Sequence, residues 1–261
     1  VLGVGASGPQ VVEGWHGVDF AKPVTRTRET IEIIRLVTAG ERLRYDGEVY
    51  QLPRPGGEGK ALRAAAPPVH VPVYVASLGP ANLRLTGELA DGWIGNSFLC
   101  ESASVFLGPI ADGAAASGRA LADLDLTVAV SCEFTDDVEG AGRRHADGYA
   151  FTFGAMGSGS TNFYNEAFAR QGFGDDVREV QRLWATGDRE AAARRVPTEI
   201  GVRTNLIGPP EEIVRRLAEY VDAGVDELRV NPIGETLDEQ VAGLGRLMDL
   251  VADLDDAATT S

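Results

Sequence analysis

Residues 71–97 read "VPVYVASLGPANLRLTGELADGWIGNS", and this stretch decides the fold. "VPVYVAS" (71–77) is a nearly unbroken run of apolar and β-branched residues, the signature of a strand buried on both faces. Gly79-Pro80 then opens a helix, since proline is pre-organised for a first helical position. Leu83, Thr86 and Leu89 fall on one face of that helix. "DGWIGNS" enters a second short strand from a turn. Working outward, the same alternation recurs. "PVTRTRETIEIIRLVTAG" (23–40) predicts a helix with Thr27, Ile31, Ile34 and Val37 on its inner face and Gly40 as its stop. "RLRYDGEVYQL" (42–52) predicts a hairpin whose Asp46-Gly47 supplies the positive φ angles of a type I′ turn. A helix is expected around 102–117, two or three helices over 138–195, another at 208–224 and a last one after 235. Buried strands are expected at 1–5, 71–77, 92–96, 126–134 and 226–231. Strands alternating with helices, each strand apolar on both faces, imply an α/β fold with a parallel sheet. The Pro/Gly-rich segment 53–68 is assigned no regular structure.

Composition narrows the function classes. A length of 261 residues suits one large α/β domain or two small ones. The formal charge of −15 argues against a nucleic-acid partner, because a phosphate backbone is held by clustered Lys and Arg. No apolar run approaches the roughly 20 residues of a membrane span. Cys100 and Cys132 are too few and too distant for a zinc site or a disulfide framework, which together with the absence of an export signal suggests a reduced, cytoplasmic setting.

In parallel α/β folds ligands gather at the carboxyl ends of the strands. The first such end is "GVGASGPQ" (3–10). Gly3, Gly5 and Gly8 match the spacing of a dinucleotide-binding loop, but "PQVVEGWHGVDFAKP" (9–23) reads as a loop with aromatics where a helix should open, so a plain strand-ending glycine loop serves as well. The second end, Ser77-Leu78-Gly79-Pro80, offers backbone amides and a helix N-terminus to an anion; the alternative is a tight turn whose serine only caps the helix. At the third, Trp93 packs or stacks while Asn96 and Ser97 can hydrogen-bond. His16, beside Glu13 and Trp15, is a candidate proton carrier, or else an ordinary loop histidine. Cys132 reads as a small hydrophobe within a strand. With neither a nucleophile set nor metal-ligand spacing, reactivity is expected to come from an organic cofactor.

Taken together, "LGVGASGPQVVEGWHGVDFAKPVTRTRETIEIIR" (2–35), "YDGEVYQLP" (45–53), "VPVYVASLGPANLRLTGELADGWI" (71–94), "MGSGSTNFYNEAFARQGF" (156–173) and "LIGPPEEIVRRLAEYVDAGVDELRVNP" (206–232) resemble the luciferase-like monooxygenase superfamily. The branch they resemble is the coenzyme F420-dependent one, similar to methylenetetrahydromethanopterin reductase. The resemblance implies a TIM (β/α)8 barrel of the bacterial luciferase type. It makes "LGVGASGP" the fourth of eight strands, so the chain is expected to be N-terminally incomplete, a single partial barrel over 1–261. With two open sheet edges it is expected to be unstable unless complemented. An insertion is expected at 154–175 and a disordered tail at 252–261.

The same resemblance implies hydride transfer between coenzyme F420 and a small organic substrate. An FMN-dependent monooxygenase and a non-catalytic truncated remnant are the alternatives. It places Gly5, Ala6, Ser7 and Gly8 beside the ring, and Ala76, Ser77, Leu78 and Gly79 at the phosphate region. Trp15 and Asn96 are expected in a substrate pocket, with His16 and Glu13 as candidate catalytic groups. Some relatives place a glutamate near Ala6, where alanine cannot do acid–base work. The family suggests a homodimer, while ligand spacing, hydropathy and charge leave no metal, membrane or nucleic-acid partner expected.

Overall fold

The computed structural model describes residues 1–157 and 161–259. Contacts divide the chain into two compact units. The first comprises Val1–Ile94 and Phe106–Asp125, with Gly157 and Thr161. Here β1 (Leu2–Gly5) leads into α1 (Pro9–His16) and α2 (Pro23–Thr38). The helix α1 corrects the reading of this stretch as a loop. It buries none of its residues, so no apolar period marks it. Its ends fix it: Pro9 in the first turn, and Gly17 in the left-handed region at φ 63°. In α2, Thr27 and Ile31 are buried one turn apart. Ile31 and Ile34 pack on Val73, Val75 and Ala90.

The hairpin exists, but with a different turn. β2 (Tyr45–Asp46) and β3 (Gln51–Leu52) pair antiparallel with Asp46 opposite Gln51, leaving residues 47–50 as the loop. Neither Asp46 nor Gly47 has a positive φ, so this is not a type I′ turn. The loop instead wraps a carboxylate. Glu29, only 4% exposed, accepts the backbone N–H groups of Glu48 (2.6 Å), Val49 (3.0 Å) and Tyr50 (2.7 Å). Glycine is required at 47 because a Cβ would run into the Glu29 carboxyl group and the Tyr45 ring.

β4 (Val73–Ala76) pairs in parallel with β1 on one side and β5 (Gly92–Gly95) on the other, α3 (Pro80–Leu89) joining β4 to β5. α3 buries Leu83 and Thr86 as its periodicity predicts. It crosses α4 (Ser104–Ala116) backbone to backbone. A Cβ on Gly87 would overlap the carbonyl oxygen of Ile110, and one on Gly113 would overlap that of Arg84. The two glycines thus admit each other's helix.

The second unit comprises Gly95–Val105, Leu126–Met156 and Asn162 onward. Its central strand, β6 (Asp125–Phe134), pairs in parallel with two others. After β6 come α5 (Val138–Gly154), α6 (Phe163–Phe168), a π-helical turn at Ala169–Phe173, α7 (Gly174–Ala185), α8 (Arg189–Arg195) and α9 (Thr198–Arg203). Four α-helices therefore fall within 138–195 where two or three are expected. Asn162 and Asp188 supply side-chain caps that start the extra helices. Residues 158–160, inside the expected insertion, lie outside the described residues. Ala146, Ala150 and Phe153 of α5 pack with Phe168, Phe173, Val177 and Ile200. Phe153 and Phe168 meet edge to face at 5.0 Å. A second pair of glycines, Gly142 and Gly201, brings α5 and α9 together just as closely.

β7 (Leu206–Gly208) adds a strand absent from the sequence expectation, three residues being too short to show a run. It pairs with Cys132–Phe134. α10 (Pro210–Asp222) follows, burying Ile213, Arg216, Leu217 and Tyr220. β8 (Glu227–Pro232) pairs with Thr127–Cys132 of β6. The last helix, α11, spans Leu237–Thr259 and so runs through 252–259, the stretch expected as a tail; residues 260–261 lie outside the described residues. No described helix is long and apolar enough to cross a membrane.

Candidate functional site

In the first unit the parallel register sets Gly5 opposite Ala76, so the loops following β1 and β4 leave the sheet side by side. Gly5, Ala6, Ser7 and Gly8 form one loop, Ala76, Ser77, Leu78 and Gly79 the other. Both run into helices that start the same way, with glycine at the N-cap, proline in the first turn and no side-chain cap. Two uncapped helix N-termini on neighbouring strands concentrate amide donors and positive dipole ends at one edge of the sheet. Ser7 holds a φ of 59°, a conformation costing a non-glycine residue on the order of 1 kcal/mol. A Cβ built on Gly79 meets nothing within 4 Å, so space is open before α3.

The Ser77 hydroxyl is not part of that open face. It is buried, lies 2.9 Å from Thr86 Oγ1, and must donate to it because Thr86 gives its own proton to the Asn82 carbonyl. Ser77 therefore neither caps α3 nor offers a side-chain donor, and its carbonyl accepts from the buried Trp93 indole at 3.0 Å. Trp93 is core, packed at 5.6 Å on Phe106. Asn82, in the first turn of α3, leaves its Oδ1 buried without a hydrogen-bond partner. On α1, Glu13 accepts the Phe20 N–H at 3.1 Å and so fastens the segment leaving the helix. His16 and Trp15 stand exposed, Trp15 at 79%. The structure brings no hydrogen bond between Glu13 and His16.

The second unit holds a cavity of about 450 Å³. Asn96 and Ser97, directly after β5, form one wall, and Ala129 and Ser131 of β6 with Arg229 and Asn231 of β8 form another. Tyr149, Thr204 and Asn205 complete it. This third group is already saturated. Tyr149 donates to Thr204 Oγ1 (3.1 Å) and Thr204 to the Ile200 carbonyl (2.6 Å). Asn205 accepts from Ser131 N (2.8 Å) and donates to the Gly201 carbonyl (2.8 Å). Burial raises the Tyr149 pKa and keeps the phenol protonated. Ser97, strained at φ 58°, is held by Gln171, which donates to its carbonyl at 2.8 Å and accepts from Leu99 N at 3.0 Å.

Sequence reasoning singled out Asn96 but missed the strand residues around it. A strand read as buried on both faces hides the alternation that turns Ser131, Arg229 and Asn231 to one side. Cys132, on the opposite face, is buried, and burial pushes its thiol up to about 11. Among the described residues no group of His, Cys, Asp and Glu is arranged to hold a metal ion.

A family model described as luciferase-like monooxygenase matches residues 1–227. The chain belongs to the luciferase-like monooxygenase family. The helix that opens after Gly8 had been the missing piece of a dinucleotide-binding reading, and the family match now decides against it. A Mycobacterium tuberculosis (strain ATCC 25618 / H37Rv) member of similar sequence, named as a coenzyme F420-dependent oxidoreductase, is 34% identical over 234 residues, 86% of this chain and 67% of the relative. The 5,10-methylenetetrahydromethanopterin reductase of Archaeoglobus fulgidus is 29% identical over 252 residues, 94% of this chain and 71% of the relative. The fold is that of the solved coenzyme F420-dependent tetrahydromethanopterin reductase from Methanopyrus kandleri. That structure superposes with a TM-score of 0.71 at 22% identity, over 96% of this chain and 72% of the other.

Proposed function

We propose that this luciferase-like protein is a coenzyme F420-dependent oxidoreductase acting on a small organic substrate. The observation that carries the reading is the 34% identity, over 86% of the chain, to a relative named for that cofactor. The residues present fit such a group. A phosphate-bearing cofactor needs an anion-tolerant edge, which the two uncapped helix starts behind Gly8 and Gly79 provide. A hydroxyl-bearing chain needs acceptors, and Asn82 Oδ1 is a buried acceptor without a donor.

When bound, the deazaflavin would supply a carbon that accepts or releases hydride. The chain's part is binding and orientation. Gly5, Ala6, Ser7 and Gly8 are proposed to border the ring, where the absence of bulky side chains lets backbone approach a flat surface. Ala76, Ser77, Leu78 and Gly79 are proposed at the phosphate region, through backbone rather than the Ser77 hydroxyl. Ala6 brings no acid or base, so proton exchange falls to another group. His16, exposed at the end of α1, is the proposed carrier. Glu13 positions the adjoining segment, and Trp15 and Asn96 are proposed as substrate-contacting residues.

The test is a fluorescence-anisotropy titration of the full chain with F420, FMN serving as competitor. Saturable F420 binding that FMN does not displace supports the reading. Binding of FMN alone would replace it with a flavin monooxygenase, and binding of neither would reject both.

A further inference from the structure

The cavity of the second unit carries one formal charge on its walls, that of Arg229, and no acidic residue lines it. That is unusual for a chain of net charge −15. Its polar groups divide into two kinds. Those of Tyr149, Thr204 and Asn205 are spent on one another and on backbone, as described above. Those of Ser131, Arg229 and Asn231 have no side-chain hydrogen bond or ion pair among the described residues, and Asn96 spends only its Oδ1, on the Ser97 hydroxyl at 3.1 Å.

The sheet register gathers the unspent groups. Ala129 stands opposite Arg229 and Ser131 opposite Asn231 on the paired strands, with the two-residue period turning all four to one face. A small alanine beside the arginine leaves room over the guanidinium. The neighbouring carboxylates on that face are engaged. Glu227 accepts from Thr127 Oγ1 at 3.1 Å and makes no ion pair with Arg229, while Glu133 is held by Arg144 and by His145 at 3.0 Å. What remains is a guanidinium fork flanked by a hydroxyl and two amides, a donor-rich wall suited to an oxyanion.

We infer that Arg229 selects a small polar substrate bearing a carboxylate or phosphate group, with Ser131 and Asn231 completing the recognition. The inference rests on the oxidoreductase reading only in calling this ligand the substrate. Anion binding itself does not depend on F420.

The experiment measures binding of glycerol, glycerate and glycerol phosphate to the full chain by saturation-transfer NMR at low ionic strength. These probes share a backbone and differ in charge and oxyanion type. At least one anion is expected to bind tenfold or more tightly than glycerol, and which one does so distinguishes carboxylate from phosphate. In Arg229→Gln the preference should fall below threefold, and Arg229→Lys should restore part of it. Ser131→Asp, which adds a carboxylate at the same wall, should also abolish the preference and serves if Arg229→Gln does not fold. Equal binding of all three probes, or a preference that survives Arg229→Gln, overturns the inference. An F420 titration of the same sample separates the two readings: failure there rejects the cofactor and leaves the anion preference standing.

Discussion

Replacing Glu29 by glutamine removes the charge around which the 47–50 loop is folded. A backbone hydrogen bond to a charged acceptor contributes about 1.5–3 kcal/mol, and Glu29 accepts three of them at 2.6–3.0 Å. The cost of burying the carboxylate, on the order of several kcal/mol, offsets much of that gross amount. The substitution keeps the shape but sets an amide N–H₂ against a backbone N–H, so the expected net loss is about 3 kcal/mol. Burial acts to raise the Glu29 pKa, but the N–H groups of Tyr50, Val49 and Glu48 outweigh it and hold the carboxyl below its usual range. A group depressed in the folded state contributes stability that is complete above its unfolded pKa and is lost as pH falls through the folded one. The native protein should therefore lose protection of this loop on acidification, while Glu29→Gln should start low and vary little with pH. Hydrogen exchange at the Glu48, Val49 and Tyr50 amides reads this directly. At neutral pH their protection should drop by about 100-fold, the equivalent of roughly 3 kcal/mol. Unchanged protection in Glu29→Gln, or an acid dependence identical to the native one, would refute the assignment of the carboxylate as the loop's organiser.

Other substitutions probe other parts of the chain. Gly79→Val enters open space on extended backbone but sets a poor N-cap residue at the start of α3, so urea unfolding should lose about 1 kcal/mol, while F420 affinity in the anisotropy titration should fall at least tenfold. Gly87→Ala forces α3 off α4 and should cost about 3 kcal/mol or more, read as a lowered urea midpoint. Gln171→Leu leaves Leu99 N and the Ser97 carbonyl without their partner, an expected loss of about 2–3 kcal/mol, with faster exchange at the Leu99 amide as its local signature. Ser131→Asp should abolish the cavity's anion preference without altering exchange at the 47–50 loop in the other unit.

Much of the fold was legible in the chain because the interior signals were strong. The β-branched run at 71–77 and the Leu83/Thr86 face of α3 gave a strand and a helix that the structure contains. What was missed lacked an interior. α1 buries nothing and is set by Pro9 and Gly17; β7 is three residues long. The turn at 47–50 was misread because its organiser, Glu29, lies about 20 residues earlier and local turn chemistry cannot report it. At the candidate site, the glycine loops and Asn96 were visible as strand ends. Arg229 was not, because the run "VDELRVNP" reads as simply buried, whereas its β8 residues 227, 229 and 231 are exposed.

The glycine pairs Gly87–Gly113 and Gly142–Gly201 carry a warning for anyone mapping this protein by saturation mutagenesis. At Gly87, Gly113 and Gly201 the nearest neighbour is main chain, which has no rotamer to yield, and at Gly142 it is the stiff, β-branched Val202 side chain. Every replacement, however small, should score as damaging. An intolerance map of the molecule would therefore light up most brightly between outer helices, where no ligand is placed. The positions proposed to set ligand choice, Ser131 and Arg229, would look permissive in any screen that reads only abundance. Scoring the same library twice, once for soluble protein and once for ligand capture, would separate the positions that hold the helices together from those that choose what the protein binds.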